Sequence, residues 1–437
     1  MGNRINGKIV LKGKIKLVSP LLIGSGEKEN SDIDVLRDVN NNPFIPATSF
    51  VGVMRSYIKY QDTKLDLLFG KEEQSLIKCS DIKLAEDSKS KIVVRDGIRV
   101  NNKTGLVEDK SKYDYEVIEP GAVFNIYFEA ELKKEKKNDL VKIFTLMKKG
   151  LENNLITLGS KTNSGLGKIE GKDLKLFEYD FNKKNDVLNW LKKEDGSKLE
   201  PTDDEPKALH DFEMKINLKM RNSLIVKSYP SNPEMPDAVN IMSNGKNVLP
   251  GTSIKGALRA RIERILNTIN ENNKEKTSEI INSLFGMVDT EKKDSKPKKG
   301  RIMVEEEVLP GFVAELHSRI KIDRFTGGTI NGALFDSMPL FDTNIDMNAN
   351  NVVITVKVKE CTAEDTGLLL LACKDLWTGD IAIGGEKSIG RGVFDGVSAS
   401  IVYNNFTVNL NENLDNISDE TKKEMQKYVD ALHSEVA

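Results

Sequence analysis

Ile45-Pro46-Ala47-Thr48-Ser49-Phe50-Val51-Gly52-Val53-Met54-Arg55 returns later in the chain as Leu249-Pro250-Gly251-Thr252-Ser253-Ile254-Lys255-Gly256-Ala257-Leu258-Arg259. The apolar-Pro-small-Thr-Ser element, the Gly and the Arg keep their spacing. Working outward, Leu67-Leu68-Phe69-Gly70 is matched by Ser283-Leu284-Phe285-Gly286. The stretch from Gly97 to Gly105 is matched by that from Arg319 to Gly327, and the glycine-rich stretch Gly159 to Gly167 by Gly384 to Gly392. Four pairs in one order, at a period far longer than that of a solenoid repeat, mean two copies of one domain.

The 437 residues suffice for two cores. With 30% charged and 38% hydrophobic residues and a net charge of −2, no global positive field draws the chain to nucleic acid, so any such contact is a local patch. Cys79, Cys361 and Cys373 lack metal-ligand spacing, and Cys373 reads as a core residue. His210, His317 and His433 are too few for a histidine-rich metal centre. No stretch reads as a signal peptide or bilayer span, and Asn6 stands where a myristoylation motif wants Ser or Thr, so the expectation is a cytoplasmic protein without membrane contact.

Each copy alternates strand and helix patterns. In the first, strands are expected at 8–18, 77–85, 117–132 and 168–177, with helices from Thr48 or Ser49, as N-cap, to Tyr60 and over 139–151. The polar stretch 87–112 reads as a long hairpin or insertion. The second copy repeats the order: a strand at 212–221, helices at 252–269 and 364–377, and a last strand to Tyr403. The expected fold class is α+β, two tandem ferredoxin-like (RRM-like, βαββαβ) domains with hairpin insertions. The expected organisation is a first unit over 1–180, a linker over 181–211 with a short helix at 187–193, a second unit over 212–404 and a helical tail over 405–437. The Lys-rich and acidic stretch 289–300 reads as a mobile insertion.

Four places carry candidate chemistry. Ser31-Asp32-Ile33-Asp34-Val35-Leu36-Arg37-Asp38 gathers carboxylates just before the first helix. In an extended segment Asp32 and Asp34 face the same way, where a carboxylate can deprotonate a ribose 2′-hydroxyl or hold a divalent cation. Asp237 lies at nearly the same distance before the second Pro-Gly-Thr-Ser and matches Asp32. At the helix starts, Thr48, Ser49 and Ser253 open N–H groups to anions, with Arg55, Lys255 and Arg259 one turn on. The glycine-rich loops bring Lys161, Lys387 and Arg391 to exposed amides. They are not P-loops, because no Gly-Lys-Ser/Thr element opens a helix, nor dinucleotide fingerprints, because they follow a helix and enter a strand. Finally, Arg99, Lys321 and Arg324 on the polar hairpins suit backbone contact with single-stranded nucleic acid, and Phe325 can stack on a base.

The combination resembles the CRISPR-associated RAMP superfamily, and within it the backbone subunits of type III effector complexes. Their pattern is Asp-x-Pro-x-x-Arg-Asp, then Ile-Pro-Gly-Ser-Ser-x-Lys-Gly-x-x-Arg, Phe-Gly, an Arg-Ile/Val-Asp-x-x-Thr-Gly stretch and a late glycine-rich loop. Here Asp34 replaces the usual Pro, and Val51 stands where Lys is common, whereas the second copy keeps Lys255. The second copy lacks the Arg-Asp pair and has Val226-Lys227-Ser228 for Gly24-Ser25-Gly26. A tandem pair in one chain resembles the fused subunits of type III-D systems.

The resemblance implies that each unit binds guide RNA (crRNA) along its backbone, with Arg37 among the contacts. The hairpin would be a thumb that wedges into the guide–target duplex. The loop aspartates would support metal-dependent cleavage of target RNA (Mg²⁺ or another divalent cation), leaving a 5′-hydroxyl. By position Asp32 and Asp237 are the catalytic and metal-binding residues, with Asp34 as a further catalytic candidate. The implied partners are crRNA, target RNA and other type III effector subunits. The alternative is a non-catalytic crRNA-binding scaffold or capping subunit. A metal-independent guide-processing endonuclease is disfavoured, because the first copy offers no suitably placed His.

Overall fold

The computed structural model describes residues 5–26, 29, 31–70, 74–101, 104–109, 111–230, 232, 234–270, 273–287, 298–343 and 350–434. The chain divides into two compact units, with the principal boundary between Leu209 and His210. Most of the stretch 289–300, expected as an insertion, lies outside the described residues, and so do Asn102 and Lys103.

Unit 1 starts with β1 (Gly7–Leu17) and α1 (Ala47–Gln61), then β2 (Ile77–Cys79). A hairpin of β3 (Ile92–Gly97) and β4 (Tyr113–Ile118) is inserted before β5 (Val123–Leu132), α2 (Lys137–Glu152) and β6 (Ile169–Asp180). α3 (Lys184–Lys192) and β7 (Ser197–Lys198) complete it. The sheet runs β2-β5-β1-β6-β7. Ile9, Leu11 and Ile15 recur at even spacing on β1 and are fully buried, in one cluster with Phe50 and Met54 of α1 and Phe144 and Met147 of α2. Burying three such chains is worth several kcal/mol at about 25 cal/mol per Å² of apolar surface.

Unit 2 repeats this. It comprises β8 (Phe212–Met220), α4 (Gly251–Ile269), α5 (Lys274–Phe285), β9 (Ile302–Val304), a hairpin of β10 (His317–Arg319) and β11 (Phe335–Met338), and β12 (Val352–Val358). Then come α6 (Ala363–Trp377), β13 (Phe394–Tyr403), β14 (Phe406–Asn411) and α7 (Asp419–Ser434). The order β9-β12-β8-β13-β14 is the same permutation as in unit 1. Both units are therefore ferredoxin-like, with a hairpin inserted between the second and third strands of the motif. Cys373 is buried in the unit 2 core, and burial pushes its thiol up to about 12. Among the described residues no helix is long and apolar enough to cross a membrane.

Some local expectations change. Neither Thr48 nor Ser49 caps α1; the cap position is Pro46, without a side-chain hydrogen bond, and Asp81 Oδ1 accepts the Ala47 N–H at 2.8 Å. α4 likewise starts behind Pro250, because proline supplies a backbone preset for the helix start. Residues 181–209 fold onto unit 1: β7 pairs with β6, Leu199 and Leu209 pack on its core, and the Lys207 N–H donates to Gln61 Oε1 at 2.6 Å. The tail is not all helical, since β14 extends the unit 2 sheet before α7 packs on α6.

The glycine-rich loops close identically. Gly167 (φ 78°) and Gly392 (φ 73°) are left-handed, and a Cβ on either would stand 1.8 Å from the carbonyl oxygen of Leu158 or Ile383. Gly167→Ala and Gly392→Ala are each expected to lower unfolding stability by at least about 2 kcal/mol, read from denaturant midpoints. An unchanged midpoint for either would show that the loop can shift without cost.

Candidate nucleic-acid interface

In unit 1 the loop between β1 and α1 is riveted to the hairpin. Glu116 of β4 is buried, accepts the Val35 N–H at 2.9 Å and Arg37 Nη2 at 2.8 Å, and donates its own N–H to Ile33 O at 3.0 Å. The hydrogen bond to Glu116 raises the Arg37 pKa, so Arg37 is held as a brace.

Asp32 and Asp34 do not share a face. The backbone bends at residues 31–33, which turns Asp32 to solvent and buries Asp34. The Asp34 carboxylate accepts the N–H groups of Glu29 and Ser31, at 2.7 and 2.8 Å, and the Ser31 hydroxyl at 2.8 Å. It therefore shapes the loop from inside. Asp32 instead faces Asp114 of β4 in a reciprocal pair. The Asp32 N–H donates to Asp114 Oδ1 at 2.8 Å, and the Asp114 N–H donates to Asp32 Oδ2 at 3.1 Å.

Unit 2 reproduces the key contact with fewer supports. Asp237 is exposed, and its Oδ2 accepts the N–H of Asp336 on β11 at 2.8 Å. Ala238 pairs with Ser337, and buried Asn240 accepts the Val226 N–H at 2.9 Å, which holds this loop where unit 1 uses Arg37 and Glu116. Asp114 and Asp336 were missed in the sequence. The signal was short: Tyr113-Asp114 and Phe335-Asp336, an aromatic-Asp step opening the second hairpin strand of each copy.

The first turns of α1 and α4 form a second matched surface. Thr48, Ser49 and Gly52 are exposed on α1, and Thr252 and Gly256 are exposed on α4 with Ser253 half-buried. Among the described residues, a Cβ on Gly52 or Gly256 would meet nothing within 4 Å. Glycine inside a helix costs stability, and here no neighbour among the described residues requires it. An external group that approaches the helix backbone closely would.

The cations beside these helices differ. Arg55 is bound to Asp66, at 2.5 Å from Nε and 3.3 Å from Nη2, and to Gly70 O at 3.2 Å, so it clamps α1 to the Phe-Gly turn. In unit 2, Asn282 stands where Asp66 would, and Arg259 is half-buried. The Lys255 amine reaches Ile302 O at 3.4 Å; burial, with the positive charges of Arg259 and Lys299, pushes it down to about 8.

The glycine loops aim at the hairpin bases. In unit 1 Lys161 (φ 56°) holds its amine 3.9 Å from the Tyr115 ring centre and 4.4 Å from that of Tyr113, and donates to Tyr113 Oη at 2.5 Å. In unit 2 Glu386 (φ 58°) stands at that position, Lys387 is exposed, and Arg391 is buried beside Glu386. Arg391 thus points inward as a brace, because its guanidinium is taken by Glu386 and Ser223.

At the hairpin tips Arg99 is exposed and lies 3.0 Å from Glu108. Lys321 and Arg324 are exposed, and Phe325 is fully exposed at 100% on a turn closed by Asp323, whose Oδ1 accepts the Phe325 N–H at 2.7 Å. A large aromatic side chain held wholly in water can stack on an external ring.

Each unit thus carries one exposed carboxylate on a braced loop, an exposed helix start with a bare glycine, and an inserted hairpin with apolar residues in solvent. A family model described as the RAMP superfamily matches residues 14–170 and 218–395, together well over half of the chain. Comparison with curated protein sequences finds no match. Among solved structures, a chain of the "Cryo-EM structure of the Type III-B Cmr-beta bound to cognate target RNA" is similar at 19% identity and a TM-score of 0.32, over 39% of this chain and 61% of that one. The alignment therefore spans less than two thirds of that chain. The two tandem family matches fall one on each ferredoxin-like unit, and the chain belongs to the RAMP superfamily.

Proposed function

We propose that this chain is a backbone subunit of a type III CRISPR effector ribonucleoprotein, which binds crRNA along its backbone and cuts the paired target RNA beside Asp32 and Asp237. The observation that carries the reading is the recurrence, once per unit, of an exposed loop carboxylate that accepts the backbone N–H of an aspartate on the inserted hairpin. The exposed helix glycines support guide binding, since a sugar-phosphate strand can lie directly on the α1 and α4 backbones. Base pairing supplies sequence recognition, so the protein needs phosphate and 2′-hydroxyl contacts rather than base readout.

Cleavage that leaves a 5′-hydroxyl is a transfer within the strand. The ribose 2′-oxygen gives up its proton and forms a bond to the adjacent phosphorus, the bond from phosphorus to the 5′-oxygen breaks, and the leaving oxygen takes a proton from water. The products are a 2′,3′-cyclic phosphate and a 5′-hydroxyl. Asp32 is exposed and its Oδ2 accepts the Asp114 N–H, so Oδ1 would be the acceptor for the 2′-hydroxyl proton. Proton acceptance of this kind contributes about 10²- to 10⁴-fold. A hairpin wedged into the duplex would splay the target toward in-line geometry, and such positioning supplies much of the remaining acceleration.

Among the described residues no group of three or more His, Cys, Asp or Glu could hold a metal ion unaided. Mg²⁺ needs only one or two carboxylates when substrate phosphates and water complete its shell, so the donors fit. Asp32 with Asp114, and Asp237 with Asp336, would hold it, and the ion would neutralise charge on the reacting phosphate. Buried Asp34 sits outside this donor set.

In the assembled complex Asp32→Ala and Asp237→Ala are each expected to slow one target cut by about 10²-fold or more while guide binding persists, read on a sequencing gel. If both variants leave every cut intact, the chain is a scaffold. Gly52→Ala and Gly256→Ala are expected to raise stability by about 0.5–1 kcal/mol each yet weaken guide binding, measured by thermal unfolding and filter binding. Tighter or equal binding would remove the close-approach argument. Lys255 is charged below about 8 and neutral above, so guide affinity is expected to fall as pH rises from about 7 to about 9. Lys255→Arg should flatten that profile.

A further inference from the structure

Unit 2 contains a cation cage already filled by a side chain of the protein. Glu386 Oε1 lies 3.2 Å from Lys227 Nζ, and Oε2 lies 2.8 Å from Arg319 Nη2 and 2.9 Å from Arg391 Nε. The three cations come from separate segments: the strand Lys227–Ser228, the hairpin base β10 and the glycine loop. Arg391 is completed by Ser223 Oγ at 3.2 Å and His317 Nδ1 at 3.4 Å, and His317 stacks on Phe341 with ring centres 5.1 Å apart. Glu315 lies 3.9 Å from the other nitrogen of His317, outside the cage.

Three positive charges thus face one negative charge, more than one carboxylate neutralises. Burial, with the charge of Arg319, lowers the Arg391 pKa despite the neighbouring Glu386. The cage opens to solvent on one side, where the side chains of Arg319 and Lys227 are 37% and 27% exposed against 5% for Arg391 and 9% for Glu386. Glu386 enters it on a left-handed backbone, a conformation unfavourable for a residue with a Cβ, on a loop that begins Gly384-Gly385. Unit 1 uses the same left-handed position to carry the cation Lys161.

We propose that Glu386 is the resident ligand of a phosphate-binding site in unit 2, and that a phosphoryl group displaces its carboxylate into solvent. A phosphoryl group presents more acceptor oxygens than a carboxylate and suits the two guanidinium groups from the open side. The two glycine loops then differ in kind. Unit 1 offers Lys161 directly, whereas unit 2 engages a phosphate only by expelling its own carboxylate. That the natural occupant is a guide-strand phosphodiester rests on the reading above; the cage itself does not.

The test uses the full chain with two probes, pyrophosphate followed by calorimetry and a single-stranded RNA oligonucleotide followed by salt titration. Glu386→Gln is expected to bind pyrophosphate at least about tenfold more tightly than the natural chain, the factor of one charge-assisted contact. It should also steepen the salt dependence of RNA binding by about 0.7 in log–log slope. Should Glu386→Gln fail to fold, Arg319→Ala at the open edge is expected to weaken pyrophosphate binding by a similar factor. A folded Glu386→Gln that binds pyrophosphate no better than the natural chain overturns the proposal, and so does an Arg319→Ala that binds it equally well. A pyrophosphate response without any RNA response confirms the cage and removes RNA as its occupant.

Discussion

Two backbone approaches govern the candidate surface of each unit. Gly167 and Gly392 press against the carbonyls of Leu158 and Ile383 so closely that no Cβ fits. With each loop so closed, the Ser160 and Gly385 N–H groups reach the carbonyls of Leu22 and Ile225, at 2.8 and 2.7 Å. Those carbonyls lie on the segment that leads from the central strand into the candidate site. One steric constraint thereby sets the glycine loop beside the hairpin base, and residue 161 or 386 is aimed at it.

Because backbone contacts hold this frame, the side chains that hang on it can change sign without changing the fold. The equivalent position carries Lys161 over two tyrosines in unit 1 and Glu386 among three cations in unit 2. The acidic loop is braced by Arg37 and Glu116 in one unit and by Asn240 in the other. Arg55 has a carboxylate partner, whereas Lys255 is crowded by like charges. An amine held down in that way gains from any anion that arrives.

Legibility in the sequence followed the range of the interaction. The duplication and the strand and helix order could be read because Pro46 and Pro250, the left-handed glycines and the apolar alternation of β1 and β8 act through their immediate backbone. Asp32 and Asp237 stood out for a similar reason, as acids at nearly the same distance before a helix start. Their partners did not, because Asp114 lies 82 residues and Asp336 lies 99 residues along the chain. The burial of Asp34 was missed because one local bend at 31–33 reverses the facing that an extended strand would give. Arg391 and Arg37 illustrate the same limit: a cation in a promising motif does not reveal whether a carboxylate waits for it across the fold.

From the chain alone came the two units, their common βαββαβ order, the inserted hairpins and the positions of the acidic loops, since periodicity and backbone-restricted residues encode these locally. Tertiary structure alone decided which acids reach solvent, which cations already have a carboxylate partner and that Glu386 sits among three cations. Those outcomes depend on side chains brought together from distant segments, where distance and desolvation, rather than residue type, decide what each group can do.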